Sequence, residues 1–96
     1  MHRLEWADRA LSDLGRLQAF LHAKNPRAAS TAIDTILGVP NKLRQFPLIG
    51  PALSDESPEY RELPIPYSNS GYTILYVVGD GVVEIQAVKH MREEAY

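Results

Sequence analysis

The chain has no cysteine, which removes a disulfide framework, a thiolate metal site and a cysteine nucleophile from consideration. The same absence suits a reducing compartment, so the cytoplasm is the expected location. No run approaches the roughly 20 apolar residues that a membrane-spanning helix needs. The opening residues, Met1-His2-Arg3-Leu4-Glu5-Trp6, hold no apolar stretch of the signal-peptide kind. Glycine is sparse, six in 96 residues, and no glycine-rich phosphate loop is present. His2, His22 and His90 fall in separate elements, so neither a metal cluster nor a bound cofactor is expected. An excess of positive charge is missing too: ten basic residues against twelve acidic ones leave a net charge of −2. Proteins that live on nucleic acid phosphates are usually basic, because each neutralised phosphate needs a cation.

What remains is a globular composition, 45% hydrophobic and 23% charged, at a length that allows a single domain over residues 1–96. Leu4 and Trp6 share one parity and predict a brief strand over 2–6. Leu11, Leu14, Leu17 and Leu21 recur at the helical period and predict an amphipathic helix over 8–24, with Asp8 as a side-chain acceptor for its first turn. Asn25-Pro26 is a helix start, an N-cap followed by a proline whose missing N–H was unpaired anyway. Ala29, Ile33, Ile36 and Leu37 give the second helix its apolar stripe, extended by Leu43 and Phe46 across a kink or restart at Pro40. So short a link makes the two helices an antiparallel hairpin.

Residues 47–59, with three prolines and the acids Asp55, Glu56 and Glu59, read as a loop. From Tyr60 the period becomes two. Pro64 and Pro66 mark the strand 60–66 as an edge strand, since proline cannot donate to a sheet ladder. Tyr72–Gly79 and Val82–Lys89 are strands joined by the hairpin turn Asp80-Gly81. A two-residue turn sets Val78 against Val83, Tyr76 against Ile85, Ile74 against Ala87 and Tyr72 against Lys89 on the face that covers the helices. Thr73, Leu75 and Val77 then share the open face with Glu84, Gln86, Val88 and His90. The expected fold is α+β, β-α-α-β-β-β, a helical hairpin packed on one face of a small antiparallel sheet.

The pieces Arg61-Glu62-Leu63, Ser70-Gly71-Tyr72, Leu75-Tyr76, Val88-Lys89-His90-Met91-Arg92-Glu93 and Tyr96 together resemble the RelE/ParE superfamily. So do Glu5-Trp6, Ala10-Leu11, Asp13-Leu14, Phe46-Pro47 and Gly50, and the likeness runs along nearly the whole chain in order. These are toxin halves of type II toxin–antitoxin (plasmid stabilisation) pairs. The resemblance implies two possible activities: a ParE-like toxin that inhibits DNA gyrase, or a RelE-like nuclease that cuts messenger RNA in the ribosome without metal. A diverged module that only binds its partner is a third.

Metal-free RNA cleavage needs a base for the 2′-hydroxyl, cations for the phosphate and an acid for the leaving oxygen. Arg61, His90, Arg92 and Tyr96 are the candidates for a nuclease site, with Lys89 as a further cation. By resemblance, Arg92 and Tyr96 match the arginine and tyrosine of the RelE-type C-terminal motif. The departures favour the gyrase-directed reading. Glu62, Pro64 and Pro66 stand where RelE-type nucleases commonly carry bases, Thr73 follows the Gly-Tyr pair, and Glu93 and Glu94 crowd the remaining cations. The implied partner is a cognate antitoxin. Two docking routes are expected: strand addition along the free edge of residues 60–66, and an antitoxin helix on the helical hairpin, whose basic rim comprises Arg9, Arg16, Lys24 and Arg27.

Overall fold

In a computed structural model, which describes residues 1–93 and 96, the order is β1 (Arg3–Trp6), α1 (Asp8–Lys24), α2 (Pro26–Gly38), a 3-10 helix (Val39–Arg44), β2 (Tyr60–Tyr67), β3 (Ser70–Gly79) and β4 (Val82–His90). The α+β class and the β-α-α-β-β-β order are as expected. The strands lie in the order β1-β4-β3-β2, and β1 joins β4 in parallel, so the sheet is mixed.

Asn25 is the whole link between the helices. Its Oδ1 accepts from the N–H groups of Arg27 and Ala28, with Pro26 at the first helical position. Pro40 does not kink α2; the chain tightens into the 3-10 helix from Val39, and Pro40 itself is buried. Three local expectations are corrected. Asp8 lies in the first turn of α1, where a carboxylate suits the helix dipole, yet makes no cap bond; Ala7 holds the cap position. The buried stripe of α1 is Ala10, Leu14 and Leu17, with Leu21 partly covered, whereas Leu11 is exposed. The 10-14-17-21 spacing tracks the helical period better than 11-14-17-21. Leu37 and Phe46 also point away from the core that Ile36 and Leu43 enter.

One core lies between the helices and the sheet, with Ile36, Leu43, Ile65, Ile74, Tyr76, Val83 and Ile85 fully enclosed. The register of the β3–β4 hairpin follows the turn, where Gly81 takes φ +70°, as far as Tyr76 and Ile85. Gln86 is then an unpaired extra residue, a β-bulge, and beyond it Leu75 faces Ala87, Ile74 faces Val88 and Tyr72 faces His90. The expected pairs of Ile74 with Ala87 and Tyr72 with Lys89 are therefore shifted by one. Because side chains alternate with period two, this moves Val88 and His90 from the open face to the helix side.

β2 is the expected edge strand, but that edge is closed. Leu53 N–H donates to the Tyr60 carbonyl and Glu62 N–H to the Pro51 carbonyl, so the even positions of β2 turn their backbone groups outward. The next two even positions, Pro64 and Pro66, have no N–H to offer. The Tyr60 N–H donates to the Ser57 carbonyl, so strand addition along β2 loses its donors at all four places.

Candidate functional site

The site grows from the bulge. The Val88 N–H, 2.9 Å from Asp13 Oδ2, donates to that carboxylate on α1. Asp13 sits on the sheet-facing side of α1 among Ala10, Leu14 and Leu17 and is largely covered. The carboxylate thus meets a donor from a bulge that would otherwise be poorly paired, and it fixes where β4 changes face.

Past this point β4 delivers His90 beside α1. Its ring lies edge-on to Tyr72 with centroids 5.4 Å apart. The Arg92 N–H donates to His90 Nδ1 at 3.1 Å. Nδ1 is therefore the unprotonated nitrogen, and by inference Nε2–H donates to Ser70 Oγ, 3.2 Å away. Glu93 Oε1 accepts from Arg16 Nη1 at 3.1 Å and from the His90 N–H at 3.3 Å. Burial alone would raise the Glu93 carboxyl, but Arg16 and the His90 N–H outweigh it and hold it below its usual range. These side chains and the second half of α1 border a cleft of about 600 Å³. Its apolar wall includes Leu17, Phe20, Leu21 and Tyr72; among the described residues Arg16, Lys24 and Arg92 stand against the single carboxylate of Glu93. Burial, with a smaller push from Tyr67, raises the Tyr72 phenol, whose ring forms part of the apolar wall.

The other candidates go elsewhere. Arg61 Nη1 donates to the carbonyls of Gly50 at 2.7 Å and Leu48 at 3.3 Å, so this guanidinium anchors the loop before β2. The Tyr96 hydroxyl donates to Glu62 Oε2 at 2.6 Å. Lys89 Nζ lies 4.9 Å from the Tyr96 ring centroid and donates to the Glu93 carbonyl. Burial first, and then the Glu62 carboxylate, push the Tyr96 phenol far above its ordinary value. His90 and Arg92 meet at one cleft, while Arg61 is committed to loop carbonyls and Tyr96 to Glu62. Glu94 lies outside the described residues. Among the described residues no three His, Asp or Glu side chains gather to hold a metal ion, and no helix is long and apolar enough to cross a membrane.

Residues 4–95 match the family described as the ParE toxin of type II toxin–antitoxin system, parDE. The chain belongs to this family. It is 33% identical over 93 residues to Toxin RelE3 of Caulobacter vibrioides (strain ATCC 19089 / CIP 103742 / CB 15), an overlap that spans 97% of this chain and 98% of that one. Its fold resembles the solved chromosomal ParDE system of P. aeruginosa, with a TM-score of 0.75 at 20% identity over 94% of this chain and 96% of that chain. It also resembles the RelBE2 toxin–antitoxin complex of Mycobacterium tuberculosis, with a TM-score of 0.59 at 23% identity over 93% and 96% of the two chains. The protein is a type II toxin of the RelE/ParE superfamily.

Reading the sequence of this ParE-family toxin missed Asp13 as the anchor of the bulge and Ser70 as the partner of His90. A signal for the bulge was present: Ala87 and Val88 are consecutive apolar residues after polar Gln86, which breaks the alternation that Val83, Glu84 and Ile85 begin. Asp13, a carboxylate beside Leu14 and Leu17 on a buried helix face, was the second signal.

Proposed function

We propose that this toxin arrests growth by binding DNA gyrase, without RNA cleavage, and that a cognate antitoxin silences it. The commitment of Arg61 and Tyr96 to partners away from the His90–Arg92 cleft carries this reading. Cleavage needs base, cations and acid around one phosphate. Here the Arg61 guanidinium is held by two carbonyls and the Tyr96 hydroxyl by a carboxylate. Both His90 ring nitrogens are also engaged. A toxin that works by binding needs a surface only, and it tolerates the net charge of −2.

The cleft beside α1 suits the antitoxin. An apolar wall with three cations on its border favours a segment that offers an apolar residue flanked by acids. With the β2 edge closed, the helical face and its cleft are the favoured route. RelBE2 and ParDE, whose toxin folds this chain resembles, are toxin–antitoxin pairs, which supports a heteromeric complex.

A second reading is a RelE-like, ribosome-dependent endoribonuclease. The name of the 33% identical relative, Toxin RelE3, favours it, as does the grouping of Arg16, Lys24, His90 and Arg92 around Tyr72 and Phe20. Those cations and rings would hold a phosphate and a base. Inducing the toxin in cells while following DNA double-strand breaks and translation rate separates the two. Breaks with sustained early translation are expected; an immediate fall in translation with intact DNA reverses the ranking.

A further inference from the structure

The loop between the 3-10 helix and β2 is built in an unusual way. Tyr76 is fully buried at the centre of the sheet, and its hydroxyl spends both its bonds on this loop. It donates to the Pro47 carbonyl at 2.8 Å and accepts from the Gly50 N–H at 3.0 Å. Arg61 holds the carbonyls of Leu48 and Gly50. Gly50 is packed so closely that an added Cβ would sit 2.3 Å from the Glu62 carbonyl oxygen. Backbone bonds from Pro51 and Leu53 to β2 continue the clamp. The loop is therefore gripped through its main chain from below.

Its side chains point the other way. Phe46, Leu48 and Ile49 are 59%, 61% and 53% exposed, and Leu53 and Tyr60 add to them. Isolated exposed hydrophobics are ordinary, but a clamped loop that presents four, with Tyr60 of β2 following, is not. The Tyr76 and Arg61 bonds hold the main chain of residues 47–50 in the arrangement that leaves these side chains outside. Asp55, Glu56 and Glu59 are exposed too and stand in the short return between Leu53 and Tyr60, so the same loop carries three acids beside its apolar residues. Lys42 and Arg44 lie before it on the 3-10 helix, and the basic border of the α1 cleft belongs to a different part of the fold.

We infer that this clamped loop is the surface by which the toxin docks on its protein target, a folded protein with an apolar patch bordered by lysine or arginine. The inference rests on the reading that the toxin acts by binding a protein, and it assigns the antitoxin and the target to separate surfaces. Pre-organisation serves this use, because a loop already held in its bound form loses little freedom on docking. The three acids select a basic partner and speed encounter.

The test uses the full chain with Leu48→Glu/Ile49→Glu, and separately with Asp55→Lys/Glu59→Lys, using purified gyrase as the probe. Both pairs are exposed, so the urea midpoint stays at the wild-type value. The first variant should bind gyrase at least about tenfold more weakly, because it places charge in an apolar contact. Its affinity for the antitoxin should stay within about threefold of wild type. The second should associate more slowly, with a shallower salt dependence. Unchanged gyrase binding by the first variant overturns the inference. So does loss of antitoxin binding by a folded variant, or a wild-type dimer that the substitution dissolves, since either shows another occupant. Faster association after charge reversal overturns the basic partner. Failure of the wild-type chain to bind gyrase counts against the proposed function instead. Growth arrest then decides the loop: a harmless, antitoxin-binding Leu48→Glu/Ile49→Glu variant supports it, and a fully toxic one overturns it.

Discussion

The loop before β2 and the turn after β4 are both irregular, and they are held by opposite means. In the loop, the buried Tyr76 and the half-buried Arg61 grip the main chain, and the loop's own apolar side chains are left outside. At the turn, partly exposed side chains grip one another: Arg16 with Glu93, Ser70 with His90, Lys89 with Tyr96. The bonds to the Tyr76 hydroxyl join neutral groups at a buried or half-buried place, so they should hardly respond to salt or pH. The second kind lies near water, where ion pairs are screened and titrate. One surface is apolar and held through its main chain, the other is charged and held by side-chain pairs; in the proposed reading the first faces the target and the second takes the antitoxin.

The contrast breaks most visibly at Gly50. Gly50→Ala forces a Cβ against the Glu62 carbonyl and the Tyr76 hydroxyl, and should destabilise the fold by about 3 kcal/mol, the upper end of ordinary overpacking. A urea midpoint near wild type would show that the loop yields and is not clamped. Tyr76→Phe keeps the ring in the core and strands the Gly50 N–H and Pro47 carbonyl; the expected loss is about 1–3 kcal/mol. Faster amide exchange in this variant should be confined to residues 46–53.

At the other pole, Asp13→Ala removes the acceptor of the Val88 N–H and should cost about 1 kcal/mol, with shifted resonances from Gln86 to His90. Unchanged resonances there would mean that the bulge does not depend on α1. The smallest effect is Glu93→Gln. Arg16 and Glu93 are half and one-third exposed, so the pair contributes less than about 1 kcal/mol. The Glu93 carboxyl is held below its unfolded value, so its contribution is full above that value and disappears as pH falls through the folded one. The stability gap between wild type and variant should therefore shrink from pH 7 towards roughly pH 3, measured by urea titration at each pH. A gap that stays constant removes Glu93 from the network.

How much of this could be read from residues alone depended on periodicity. The α1 helix, the Asn25-Pro26 start and the Asp80-Gly81 hairpin were legible because local chemistry decides them. The His90 side was not, because one unpaired residue at Gln86 reverses everything beyond it, and a carboxylate 75 positions away holds that bulge. Arg61 and Tyr96 were named as candidates by residue type, but a side chain's type does not reveal which carbonyl or carboxylate holds it. The apolar loop was read only as proline-rich and acidic; Phe46 was assigned to a buried stripe because nothing local shows that Tyr76 and Arg61 hold the chain outward.

DNA supercoiling by purified gyrase in the presence of the purified chain tests the central claim most directly, run beside a translating extract programmed with a defined messenger RNA. A gyrase-directed toxin blocks supercoiling in proportion to its concentration and leaves the messenger whole, and His90→Ala/Arg92→Ala does the same. Undisturbed supercoiling together with ribosome-dependent cuts in the messenger, abolished by His90→Ala/Arg92→Ala, would contradict it.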